Sequence, residues 1–435
     1  MSPDSSSDRL PPGVELSELP AGIRVITEAV PSVRSVALGL WVRVGSRDED
    51  PEHAGVSHFL EHLLFKGTER HSAEEIAQIF DGLGASVNAA TGKESTHLHA
   101  RFLDMHTERA FELLSEMFLG PSYPEVDSER EVVLEEIAMY EDEPQDLVHD
   151  VLGEAVFGSH PLGRRVLGRS DVIASIPVPE IDSFHHTHYV APSIVVAAAG
   201  HLEHARIAEL AGRHLAPSTE RAEAQTNGTG PDGAARIRFK QKETEQYHVC
   251  LGGPGIHRDD ERRFALGVLD AIFGGSTSSR LFQEVREKRG LAYAVGSYTE
   301  QYTECGMVAM YVGTREDNVA EACEIIGREL ASLRADGISG EELGRAKEHV
   351  KGRMVLGLEA TAARMSRIAR SELHAVPLLS LDEMLARVDA VTEQDLAELA
   401  RELYDPGRLS AACIGPSEER FRAALAPVSE ALAAA

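Results

Sequence analysis

Two histidines and a glutamate within five residues, His58-Phe59-Leu60-Glu61-His62, are the part of this chain best equipped for chemistry. Residues four apart on a helix project from one face about one turn (~5.4 Å) apart, so one metal ion can bridge both imidazoles. Glu61 follows His58 by three and faces the same side. A carboxylate beside a metal-activated water can take its proton, which is what metal-assisted hydrolysis needs. The same residues also suit a plainer arrangement, two histidines satisfied by hydrogen bonds inside a buried helix. Phe59, Leu60, Leu63, Leu64 and Phe65 cover most of that helix and predict burial nearly all round. A buried Glu beside two buried His is costly without a partner, and a divalent cation is such a partner.

A site of this kind needs a third protein ligand, and the acidic run from Glu129 to Ile137 offers candidates. Read as a helix, Val132, Val133, Ile137, Met139 and Tyr140 form an apolar stripe at i, i+3, i+4 spacing, and Glu136 falls inside it. Glu135 sits with Glu131, Ala138 and Asp142 on a wetter side, where a solvated charge run explains it. A carboxylate in an apolar stripe wants a partner. Glu129, two turns earlier on the same face, can orient a ligand or the water.

With these residues in place the chain resembles a known family. His58-Glu61-His62 followed by Glu136, in the inverted H-x-x-E-H order, is similar to the pitrilysin/insulinase (inverzincin) metallopeptidases, and specifically to the short bacterial branch resembling the processing-peptidase beta subunit. The resemblance runs from about Gly22 to about Pro416. It also rests on the stretches His58 to Thr68, Asn88 to Glu94, and Arg280 to Tyr293. It implies one Zn2+ per chain held by His58, His62 and Glu136, with Glu61 as general base and Glu129 in support. It implies that Arg286 and Tyr293 in the second half contact substrate, and that the strand around Asn88 and Ala89 pairs with an extended peptide. From the residues alone, Tyr293 near a glycine turn reads equally as a packing aromatic. A Tyr hydroxyl can bond a developing oxyanion and an Arg can hold a peptide carbonyl. His97, His99 and the cluster His185 to His188 lack acidic partners and read as structural.

The chain that must position these groups has 435 residues, room for two domains of ordinary size. Lys and Arg number 43 against 71 Asp and Glu, a formal charge of −28, which argues against nucleic acid or anionic membranes as partners and permits cationic peptides. The polar start, Met1 to Asp8, resembles no signal peptide, and no run reaches the ~18 apolar residues of a membrane span. A cytoplasmic location is the expectation. Cys250, Cys305, Cys323 and Cys413 are scattered and read as reduced structural thiols. Gly228-x-Gly230-x-x-Gly233 follows no strand and contains Pro231, so it is not a dinucleotide fingerprint. Asn227-Gly-Thr229 is a glycosylation triplet without a compartment to matter in.

The stretch 217–235, with Pro217-Ser-Thr-Glu and Asn227-Gly-Thr-Gly-Pro-Asp-Gly233, reads as a linker between a catalytic domain at 1–216 and a metal-free substrate-binding domain at 236–435. The halves look like distant copies. Tyr189 to Gly200 and Tyr404 to Gly415 close them alike, and Leu63 to Gly67 is echoed by Ala271 to Gly275. In that register His58, Glu61 and His62 correspond to Leu266, Leu269 and Asp270, so the second copy lacks the site. Period-2 strands (Ile23 to Thr27, Val36 to Val44, Arg236 to Lys240, Met307 to Val312) mix with long helices without βαβ alternation. The expected class is α+β, two homologous domains each with a largely antiparallel sheet packed with helices. The resemblance implies a clamshell that closes on peptides. Motifs for both metal and substrate on one chain suggest a homodimer of self-sufficient subunits, against the alternative of a non-catalytic subunit of processing-peptidase or respiratory-complex core type.

Overall fold

The structure is a computed structural model that describes residues 10–215, 230–335, 337–429 and 432. The readings made for Met1 to Asp8, for Asn227, and for most of the linker lie outside the described residues.

The first unit is built on a six-stranded sheet. Its strands are β1 (Val14–Glu18), β2 (Arg24–Ala29), β3 (Ser35–Val42), β4 (Ser86–Thr91), β5 (Thr96–Leu103) and β6 (Ile194–Gly200), in the order β1-β2-β6-β3-β5-β4. Only β2 and β6 pair in parallel. The second unit repeats that topology from β2 onward. β7 (Ile237–Gln241), β8 (Gln246–Gly255), β9 (Ala292–Gln301), β10 (Gly306–Arg315) and β11 (Ser410–Gly415) are ordered β7-β11-β8-β10-β9, with β7 and β11 the parallel pair. The duplication read from the two closing segments is therefore a duplication of the fold, and the class is α+β as expected.

Central strands are apolar on both faces, which is why they read as continuous hydrophobic runs. In β3, Val36, Leu38, Leu40 and Val42 join the core beneath the unit's own helices, while Ala37 and Trp41 belong to a second cluster on the opposite face. In β10, Val308, Met310 and Val312 face one core and Met307, Ala309 and Tyr311 the other. A sheet with two apolar faces needs two covers. The second cover of the first sheet is the helix Thr361–Leu373, through Met365, Ile368, Ala369 and Leu373. For the second sheet it is the helix Pro144–Phe157, through Leu147, Val148, Val151, Leu152 and Val156.

Each cover thus comes from the sequence of the other half. The compact units are 1–138, 165–226 and 355–380 for the first, and 139–164, 227–354 and 381–435 for the second. They differ from the contiguous halves expected at 1–216 and 236–435, because each sheet's second apolar face takes a helix encoded on the far side of the chain.

Candidate metal centre

The HxxEH segment lies in α1 (Val56–Leu63), and the backbone before it is unusually confined. Gly55 at the helix start has φ +100°, and Gly168 opposite it has φ +74°. A Cβ on Gly168 would stand 2.3 Å from the Ala54 carbonyl, so only glycine lets these two backbones meet. The buried carboxylate of Glu49 then accepts hydrogen bonds from the N–H groups of Gly55 (2.7 Å) and Ser57 (2.9 Å). It satisfies donors that the helix leaves open and complements the positive end of its dipole. Phe59, Leu60 and Leu63 are fully buried and anchor the helix, each worth about 1.5–3 kcal/mol of apolar burial. The expected burial nearly all round holds for this helix.

Glu136 and Glu129 lie in α2 (Val126–Asp142), whose buried stripe differs from the one read in the sequence. Glu129, Val133 and Ile137 are buried and Glu136 and Tyr140 half-buried, whereas Val132 and Met139 are 50% and 64% exposed. The buried stripe is about a sixth of a turn narrower than the sequence pattern: Val132 and Met139 turn away from the core on the far side of Glu136. Glu136 still faces inward and Glu135 outward, as expected.

Helices α1 and α2 bring three ligand atoms to one point. Oε2 of Glu136 lies 3.2 Å from Nε2 of His62 and 3.7 Å from Nε2 of His58. The two imidazole rings are 4.7 Å apart at a 69° angle. Among the described residues, His58, His62 and Glu136 form the one group of three whose ligand atoms all lie within 4.8 Å of one another. Nδ1 of His62 lies 2.8 Å from Oε1 of Glu129, a carboxylate that only accepts, so Nδ1 donates. With Nδ1 engaged, Nε2 is the ring nitrogen that faces Glu136. Burial, and secondarily His62, lowers the His58 pKa to about 4, so the His58 ring is neutral at neutral pH. Two imidazoles and a carboxylate facing one point call for a cation, and a His2Glu donor set suits zinc.

Glu61 is half-buried beside this cluster. Burial raises its pKa, opposed by the hydroxyl and backbone N–H of Thr91, which donate to it, and by His62, while Glu136 raises it further. Thr91 ends β4, so the helix and the edge strand meet at the candidate base. That contact, the Glu49 cap and an ion pair from Lys66 to Glu129 were not found from the sequence.

The other expected site residues fall into two groups. Asn88 is exposed and Ala89 buried in β4, which is an edge strand paired only with β5. The strand begins at Ser86, because Leu83 caps the preceding helix and Gly84 turns at φ +60°. In the second unit, Arg286 lies in a π-helical turn, Phe282–Glu287. Its guanidinium stacks 4.7 Å from the Phe282 ring centre and 4.6 Å from that of Tyr293, and Nη1 donates to the Tyr293 carbonyl at 3.1 Å. Tyr293 is 80% exposed, which removes the packing alternative for it.

The other histidines singled out in the sequence have structural contacts. His97 lies flat on Trp41, with ring centres 3.8 Å apart, and Nε2 of His185 bonds the Phe118 carbonyl at 2.8 Å. At the position matching His62, the second unit carries Asp270, whose pKa burial raises to about 6 and whose carboxylate accepts from the Ser297 hydroxyl at 2.6 Å. All four cysteines are buried thiols, and no helix among the described residues is long and apolar enough to cross a membrane.

Two α+β units of one topology, with a His2Glu ligand set in the first alone among the described residues, define the architecture of a two-domain metallopeptidase fold. The model of the insulinase family, peptidase family M16, matches residues 24–170, and that of the peptidase M16 inactive domain matches residues 175–350. An uncharacterized zinc protease of Streptomyces coelicolor is 42% identical, covering 94% of this chain and 90% of its own length. Another, from Bacillus subtilis, is 41% identical over 88% of this chain and 94% of its own. The chain belongs to the insulinase family of peptidases. Among solved structures, a protease from Helicobacter pylori shares the fold at TM-score 0.88 and 23% identity, covering 93% of this chain and 99% of that one. A chain of complex III2 from Candida albicans shares it at TM-score 0.84 and 19% identity, covering 96% and 100%.

Proposed function

We propose that the protein is a zinc metalloendopeptidase that hydrolyses peptides or unfolded segments, with one zinc ion per chain at His58, His62 and Glu136. The observation that carries this reading is the convergence of those three groups, within 4.8 Å of one another, beside the half-buried Glu61. The zinc-protease names of the relatives support the choice of metal. Bound there, zinc would supply Lewis acidity, lowering the pKa of a water towards ~7 and polarising the scissile carbonyl.

The chain's own residues do the rest. Glu61 takes the proton of the attacking water and passes it to the leaving amine. Its raised pKa brings it closer to the operating pH, where one carboxylate can both accept and return a proton. Glu129 holds His62 through Nδ1. The edge of β4 around Asn88 and Ala89 pairs with the peptide backbone. The exposed Tyr293 hydroxyl bonds the developing oxyanion, and Arg286 takes a peptide carbonyl. The chain is self-sufficient in these groups, which supports a homodimer of like subunits in the cytoplasm.

The alternative, a non-catalytic subunit of processing-peptidase or respiratory-complex core type, has no use for a general base beside a ligand set. Metal analysis and digestion of an unstructured peptide library separate the two. Zinc near one per chain, with cleavage abolished by chelator and restored by zinc, is the expected result. A chain without stoichiometric metal, or with chelator-insensitive cleavage, contradicts the proposal.

A further inference from the structure

Glu129 is only 4% exposed, and a carboxylate buried that far needs both oxygens paired. Oε1 is taken by Nδ1 of His62 at 2.8 Å. Oε2 is taken by the ammonium of Lys66 at 2.5 Å, with the Lys66 side chain 29% exposed. Lys66 reaches it because the helical turn continues past the end of α1: the N–H groups of Phe65 and Lys66 bond the carbonyls of His62 and Leu63 at 3.2 and 3.1 Å. Four residues after His62, Lys66 therefore rises on the same face and meets the same carboxylate. The result is one chain of contacts, Lys66–Glu129–His62, ending on the ring whose other nitrogen, Nε2, faces Glu136.

We propose that Lys66 is a positioning residue for the metal centre, acting on His62 through Glu129; this rests on reading that centre as a zinc site. The ammonium pins Oε2 and so fixes the rotation of the Glu129 carboxylate. With Oε1 held in place, the Nδ1–H of His62 has one partner, and Nε2 points to the spot it shares with His58 and Glu136. A neutral side chain at position 66 leaves Oε2 without a donor and the buried negative charge without its counter-charge. Glu129 then gains by turning towards solvent, and the imidazole loses the contact that orients it. Outer partners of this kind govern metal affinity by about 10–100-fold.

The test is zinc affinity, measured by chelator competition on the full chain, with cobalt(II) absorption as a report on ligand geometry. The variants are Lys66→Met, Lys66→Arg, Glu129→Gln, and Lys66→Met combined with Glu129→Gln. Lys66→Met is expected to weaken zinc binding by about 10–100-fold and to alter the cobalt spectrum, with Lys66→Arg restoring most of both. In the Glu129→Gln background the Lys66→Met change is expected to add little, since the two act through one contact. Wild-type affinity in Lys66→Met overturns the inference, as does an undiminished loss in the Glu129→Gln background. A wild-type chain that binds no zinc overturns the parent reading itself, which the wild-type titration reveals before any variant is compared.

Discussion

Oε2 of Glu136 on α2 lies 3.2 Å from Nε2 of His62 on α1, although a sheet hairpin and two further helices separate the residues in sequence. That contact turns a local HxxEH segment into a ligand set. Replacing Glu136 by Gln removes the anionic ligand and keeps the shape. Zinc affinity measured by calorimetry is expected to fall on the order of 100-fold or more. Glu135→Gln, one residue away on the exposed side, is expected to leave it unchanged.

Much of this centre was legible in the sequence, because helical spacing alone places His58, Glu61 and His62 together. Glu136 was legible less directly. Its inward position was inferred from a stripe that wrongly included Val132 and Met139, since amphipathic spacing does not distinguish a buried apolar residue from an exposed one beside a site. Glu49 was not legible, as it caps α1 across a loop six residues before the first N–H it accepts, outside the usual capping pattern. Lys66 was not legible either, because its partner Glu129 is distant in sequence. The α+β class could be read from strand periodicity, and the duplication from the matching segments that close the two halves. The exchange of covering helices could not, because Pro144–Phe157 and Thr361–Leu373 are apolar enough to cover either sheet, and only the packed structure shows which one each meets.

Loss of the Glu49 cap tests how firmly α1 is held. Glu49→Ala leaves the N–H groups of Gly55 and Ser57 without the acceptor they share in a buried setting. Urea denaturation of the metal-free protein is expected to show a loss of about 1–3 kcal/mol. An unchanged midpoint would show that solvent or another group satisfies them.

The second unit offers a pH-dependent test of burial. Burial raises the Asp270 pKa to about 6, above its usual 3.8, so the folded state favours the protonated carboxyl. Its stabilising contribution is full below the unfolded pKa and is lost as pH rises through about 6. Asp270→Asn keeps an acceptor for Ser297 and removes the charge. The variant is expected to gain stability over wild type at pH 8, on the order of 2 kcal/mol, and little at pH 4, read from unfolding curves at both.

Tyr293 is exposed, so its hydroxyl can be removed without disturbing a core. Tyr293→Phe is expected to keep the thermal midpoint and the zinc content and to lower kcat by about 100-fold, the size of one lost oxyanion donor. Unchanged kcat would assign the oxyanion contact to another group.

The central claim is that Glu61 moves the proton at a centre built by its neighbours. The most direct measurement pairs zinc content with single-turnover peptide cleavage in wild type and Glu61→Gln. The expected result is zinc near one per chain in both, with cleavage in the variant reduced by about 100-fold or more. Full cleavage by a zinc-loaded Glu61→Gln chain would contradict it.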